Sequence, residues 1–420
     1  MQDEYANIAV EKTGSSSGDE ADFYGENAAV FATNKATLTL DEVIVDTDGQ
    51  HANGVFSYGE GTTVNVSNSV IETTGNCSGG IMTTGGGTMN ATNLNIHTTG
   101  NSSAAIRSDR GGGTVTVNEG QYVTDGTGSP AIYSTADITV NDAVLESTAS
   151  QGVVVEGKNS VALTNVDMTA NHVKQNSNQT DAFQAVMIYQ SMSGDAAEGE
   201  SSFTMNGGTL TNTSGDIFFV NNTVCTITLD SAAITNQDAD GIFLRDEASG
   251  WGNEGSNGGH VTMKATNQII DGDMVVDDIS TLNLYLDGMS AFSGAINTEG
   301  DAGDVYVELS DSATWKLTGD SYVDALTCSA DSIDLNGYTL YVDGKAYEAG
   351  TASTGSAVEY TVESSGGAGD MGGTPPDGEG GGEGGAGGMG DAPDKPDGEG
   401  GAGGAGGAGD SGSEPPAKPE

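Results

Sequence analysis

Across residues 28–150, apolar and polar positions recur in one order five times. Each unit opens on a small-residue pair and a short apolar strand: AAVFA from Ala28, NGVFS from Asn53, GGIMT from Gly79, AAIRS from Ala104 and PAIYS from Pro130. A polar turn and an alternating run follow (TLTL, TVNV, TMNA, TVTV, DITV), then a third short apolar pair. Most units close on a TxG or TTG turn ending at Gly49, Gly75 or Gly100. The leading apolar residues Val30, Val55, Ile81, Ile106 and Ile132 stand 25 or 26 residues apart.

A repeat of this length, with three short strands and no helical period, predicts a β-solenoid. One unit cannot bury its own apolar face. Stacked units can, because each strand pairs with its counterpart in the next coil and inward residues form columns. The alternation assigns Leu38 and Leu40, Val64 and Val66, Val115 and Val117, and Ile138 and Val140 to the inside. Asp41, Ser67, Thr92, Asn118, Asn141, Thr164, Asn206 and Asp230 close the second strands. They are expected to hold turns and form ladders along the coil axis.

Later coils open at 152–155, 185–188, 217–220 and 242–244, with polar insertions at 171–181, 194–200 and 246–259, the last carrying Trp251. Insertions in repeat arrays map to loops, often on one face, and loops carry function. Residues 1–27 are expected to cap the array, with a first strand near 6–10. The solenoid is expected over 28–362, in roughly twelve coils. From Gly366 composition changes. The last 55 residues hold 23 of 66 glycines and seven of eight prolines, and no large apolar residue except Met. Such a segment cannot bury enough surface to offset its ordering entropy, so 366–420 is expected to be a disordered acidic tail or linker.

The residue after each leading Val or Ile defines a second column: Phe31, Phe56, Met82, Arg107, Tyr133, Val155, Met187, Phe219 and Phe243. If the leading residues point in, this column points out. Aromatic rings at the coil rise of about 4.8 Å would then form a platform for sugar rings. The alternatives are that the column faces inward or lies under a loop. Phe31, Phe56, Arg107, Tyr133 and Trp251 are the candidate ligand-binding residues.

Twelve basic against 61 acidic residues give a net charge of −49, which repels nucleic acid and anionic membranes. No apolar run is long enough for a membrane helix. Residues 1–4 lack the basic start and apolar core of a secretion leader, so an exported protein would have lost it. Cys77, Cys225 and Cys328 form neither a disulfide framework nor a metal-ligand spacing, and Cys225 reads as a small buried apolar residue. One calcium-type pattern is present: Asn236, Asp238, Asp240 and Gly241, with Glu247 at the twelfth place. Strands flank it where helices belong. Asp238, Asp240 and Glu247 are therefore candidate calcium ligands in some other geometry. Asp271, Asp273, Asp277 and Asp278 form a second acid cluster.

Catalytic signatures are absent. The four histidines share no metal spacing, and neither a Gly-x-Ser-x-Gly elbow nor a phosphate loop occurs. Arg107 and Arg110 flank Asp109, as a surface ion pair would. No catalytic residue is assigned.

The segments AAVFAT, ANGVFS, PAIYST and GVVVEGKNSV resemble the right-handed parallel β-helix proteins of bacterial surfaces, the adhesin-like and polysaccharide-lyase-like group with the pectin-lyase-like fold. The resemblance covers about residues 20–345, and 312–321 is similar to strands of autotransported adhesin passengers. It implies a right-handed coil, which spacing alone does not give. It also implies an extracellular or cell-surface, non-catalytic carbohydrate-binding or adhesion module, calcium-assisted, monomeric and with polysaccharide as partner. Two alternatives stay open: a calcium-dependent polysaccharide lyase or glycoside hydrolase, and a structural spacer that binds a protein. An exposed aromatic stripe would favour binding. A cleft with convergent acids beside Arg107 or Arg245 would favour the enzyme.

Overall fold

The computed structural model describes residues 1–360 except 178, 301, 302 and 311. The expected tail at 366–420 and the last two residues of the expected solenoid lie outside the described residues. The chain is an all-β parallel β-helix with three strand stacks. Leading strands form a 10-stranded parallel sheet from Val30–Ala32 to Met274–Val276. Second and third strands build a 20-stranded sheet. In two coils, Gly87–Thr98 and Gly113–Thr124, a single strand runs through the corner between these stacks. From Ile269–Asp271 onward the third strands form a separate 4-stranded sheet.

The register follows the sequence repeat. Val30, Val55, Ile81, Ile106 and Ile132 pair in succession. The turn column also holds: Asp41, Ser67, Thr92, Asn118, Asn141, Thr164, Asn206 and Asp230 are consecutive partners. The Ser67 hydroxyl donates to Asp41 at 2.7 Å, and the Asn141 amide donates to Asn118 at 3.0 Å. The residue after this column takes positive φ, as at Asn68, Asn93, Asp142 and Asn165. Asn and Asp tolerate that conformation, and it turns the second strand into the third.

The corner from the third strand back to the leading strand is built twice over. Thr73, Thr98 and Thr124 donate to the carbonyls of Ser78, Ser103 and Ser129, each five residues on. Gly49, Gly75, Gly100 and Gly126 stack there. A Cβ on any of the last three would collide with the carbonyl oxygen of the glycine one coil earlier. These glycines are required by close approach of backbones, not by their own dihedrals.

Three expectations need correction. Residues 1–27 hold two strands, Gln2–Ala6 and Ala9–Lys12, which pair with the first full coil, and a short helix, Asp19–Tyr24. Val155 and Phe243 do not belong to the outward column. Val154 and Arg245 stand beside Tyr133 and Phe219, while Val155 and Phe243 face the core. A one-residue slip moves a side chain to the other face. The Arg107–Asp109 pair is not a surface contact; Asp109 is buried.

Candidate functional site

The outer face of the leading-strand sheet is roofed. The helix Asp19–Tyr24 lies over its first coils: Phe23 stacks under the Arg110 guanidinium at 3.8 Å, and its carbonyl accepts from Thr84 at 2.6 Å. The loop 191–199 reaches back, with Asp195 paired to Arg110. The insertions at 171–183 and 246–259 join where the Gly250 N–H donates to the Gln179 carbonyl at 2.7 Å. Trp251 packs on Tyr189 with ring centroids 5.0 Å apart. It closes a second apolar cluster with Val154, Met187 and Phe219, outside the sheet.

The outward aromatic column is therefore not an open platform. Phe31 keeps 39 % of its surface exposed, but Phe56 keeps 0 % and Trp251 7 %. Arg107 and Tyr133 are half-buried. Covering this face removes apolar area from water, at a gain of about 25 cal/mol per Å2, and leaves a sugar no row of rings to lie on.

Cavities remain under and between the roof elements. One, about 450 Å3, lies over the last coils of this face. Asp181, Asp216, Asp238, Asp240 and Glu247 line it, with Arg245 among them and Phe183 and Phe219 on its apolar side. Arg245 projects outward because it occupies the column position beside Phe219. Its Nε donates to Asp216 at 2.6 Å and its Nη1 to Glu247 at 3.2 Å. Burial opposes the Arg245 charge, but these two carboxylates outweigh it and raise its pKa. Asp216 also accepts the Ile242 N–H at 2.9 Å, which pins the floor of the cleft.

The structure thus brings Asp238, Asp240 and Glu247 to one cleft, but not as a calcium loop of the helix–loop–helix kind. Asp238 accepts backbone N–H groups from Gly215 at 2.7 Å and from Asp240 at 3.0 Å, and these hold its carboxyl below the usual range. Glu247 is engaged by Arg245. Asp181 and Asp240 are the exposed carboxylates of the cleft. Phe183, Asp181 and Asp216 were missed by sequence reasoning. Phe183 and Asp181 flank the end of an insertion, and Asp216 precedes an apolar strand where it reads as a turn residue. His172 fixes Phe183: its ring is 5.0 Å away edge-on, and burial lowers its pKa to about 4, so it is a neutral acceptor for the Gln184 N–H.

Two further carboxyls are buried, Glu156 under the roof and Asp246 in the core. Glu156 sits under the roof, hydrogen-bonded by Tyr133, Tyr189 and Ser191, with its pKa raised by burial. Asp246 faces the core between Val220 and Val276 in the column, and neither carboxyl oxygen has a hydrogen-bond partner. Burial, then Asp277 and Glu247, push its pKa well above the ordinary value of 3.8. A carboxyl with a raised folded pKa favours folding fully below its unfolded pKa, and that contribution is lost as pH rises through the folded value. Asp246→Val, which continues the valine column, should therefore add about 1–3 kcal/mol at pH 7 and little near pH 4. Urea unfolding of both proteins at the two pH values checks this. An equal difference at both would remove Asp246 as the titrating group.

At the other end of the face a smaller cavity of about 110 Å3 is lined by Asp22, Cys77, Arg107, Asp109 and Tyr133, among others. Asp22, His51 and Cys77 present their donor atoms within 4.8 Å of one another. Arg107 donates to Asp109 at 3.0 Å, and its Nη1 has no hydrogen-bond partner. None of the three cysteines forms a disulfide, and Cys225 is buried in its strand as expected. No helix among the described residues is long and apolar enough to cross a membrane. No protein-family model, no curated protein and no solved structure matches the chain.

Proposed function

We propose that the protein is a non-catalytic saccharide-binding module, acting outside the cell or at its surface, and that the cleft around Arg245 is its site. The observation that carries this reading is the composition of the cleft: planar carboxylates and one guanidinium over an aromatic wall. Carboxylate and guanidinium groups bridge vicinal hydroxyls in pairs, and an aromatic face accepts the apolar face of a sugar ring. The acids outnumber the single Arg, so the ligand is a neutral glycan, or an acidic one bridged by calcium at Asp181 and Asp240. The resemblance of the repeats to bacterial surface β-helices supports the extracellular setting.

One feature favours a second reading. Convergent acids beside an arginine are also what a calcium-dependent lyase or a hydrolase would present. Both readings are tested together on a glycan panel, with calcium and with chelator, scoring retention and released unsaturated or reducing ends. Retention without products, lost in Phe183→Ala and Asp240→Asn, is expected. Products would establish the enzyme instead. Retention unchanged by both substitutions, or no retention on any glycan, would overturn the cleft as the site.

A further inference from the structure

The opposite end of the roofed face carries a different chemistry. Asp22 comes from the helix Asp19–Tyr24, His51 from the corner after the strand Ile44–Thr47, and Cys77 from the corner after the strand Val70–Thr73. His51 and Cys77 occupy the same place in adjacent coils. Each N–H donates to an asparagine carbonyl one coil on, Asn76 and Asn101, and each has φ near +55°. The next two coils fill that place with Ser102 and with Gly128, which adopts it without strain. Cys77 is the only cysteine among the described non-glycine residues with positive φ. Histidine tolerates that conformation, but cysteine seldom takes it, and its doing so beside the described chain's one helix marks a place where function is expected.

We propose that Asp22, His51 and Cys77 bind a zinc-class divalent metal ion, with the fourth coordination position open to the cavity beside Arg107. The donor set is thiolate, imidazole and carboxylate, which suits zinc over calcium or magnesium. Tetrahedral bonds of roughly 2.0–2.3 Å place donors about 3.3–3.8 Å apart, and the three donor atoms already lie within 4.8 Å of each other. The Asp22 carboxylate and His51 Nδ1 are hydrogen-bonded to each other, and the ion replaces that contact by parting the two groups and leaving the ring proton on Nε2. The ion displaces the thiol proton to solvent. Two negative ligands then balance the 2+ charge, so a largely buried shell carries no net charge. The open position takes water or a small anion, for which the unpartnered Arg107 Nη1 is the waiting donor.

The test is a cobalt titration of chelator-treated full-length protein, followed by absorbance. Expected are thiolate charge-transfer and tetrahedral d–d bands, displaced by zinc and not by calcium. Cys77→Ser should abolish the thiolate band, and Asp22→Asn should weaken cobalt binding by at least tenfold. Zinc should raise the melting temperature of the parent and not of Cys77→Ser, while Asp240→Asn, which removes glycan retention at the far cleft, should keep the parent's zinc shift. Absence of the band in the parent, a band that survives Cys77→Ser, or displacement by calcium would overturn the site. So would alkylation of Cys77 at one rate with and without zinc, which would show that the thiol is not a ligand. Because Asp240→Asn leaves this site intact, failure here is distinguishable from failure of the saccharide reading.

Discussion

Gly100→Ala is expected to cost about 3 kcal/mol or more, although it adds only one methyl group to a buried corner. The new Cβ would sit inside contact distance of the Gly75 carbonyl oxygen and carbon. Both are backbone atoms held by the ladder, with the Thr99 N–H donating to Thr73 at 2.9 Å and the Asn101 N–H to the Asn76 side chain at 2.9 Å. Relief requires moving one coil away from the next, which strains every hydrogen bond across that junction. Gly194→Ala is the contrast. Its φ is +76°, but no atom lies within 4 Å of the added carbon, so the cost should stay near 1 kcal/mol. Chemical denaturation of the two variants checks the pair, and equal costs would deny the stacked glycines their structural role.

Arg245→Met should destabilise the chain by about 3 kcal/mol while keeping similar bulk. Asp216 is the reason. Its side chain is only 5 % exposed, and with the guanidinium gone its carboxylate keeps one backbone N–H as partner. A nearly buried charge without its counterion is among the more costly single defects. The Arg245 side chain keeps 28 % of its surface, so solvent recovers part of the loss, and the estimate is set at the low end for that reason. Asp216→Asn in the Arg245→Met background should recover more than half of it. A double-mutant cycle with no coupling would show that the pair contributes nothing beyond packing.

The early coils were legible because one face of each strand is polar. Val64 and Val66 alternate with half-buried Thr63, Asn65 and Ser67, and period and register follow from that. The slip at Val154 has a physical cause. Strands Val153–Glu156, Gln184–Tyr189 and Asp216–Asn221 are buried at every position, core below and roof above. Strands covered on both faces lose alternation, so the reading had no polar residue to mark the outward side. At Phe243 the apolar run begins before the strand does: Leu244, not Ile242, is the leading residue that pairs with Phe218. The sequence marked where loops would leave the coil, but not that they fold back and shelter Trp251, nor that Phe31 and the end of the Asp19–Tyr24 helix close over Phe56. Asp238, Asp240 and Glu247 were found by a spacing rule whose expected helices are absent, yet they share a cleft because successive coils place them there. Asp22, His51 and Cys77 obey no local motif: one coil separates the last two, and a helix that crosses the sheet brings the first.

The coil junctions also set how the molecule answers to tension. Hydrogen bonds between coils run along the solenoid axis, linking residues 25 or 26 apart, as from Asn90 to Asn65 and from Val43 to Ser69. A pull along that axis loads the junctions in series, so the weakest yields alone and spares its neighbours. Each coil released pays out roughly 80–90 Å of chain, at about 3.3–3.6 Å per residue. The helix staples the first junctions together, and the roof loops carry that bracing on from Arg110, which pairs with Asp195, to the coil of Arg245. Yielding should begin in the coils after Met274–Val276, beyond the roof, and the molecule would then act as a stepwise shock absorber whose two sites outlast its later coils.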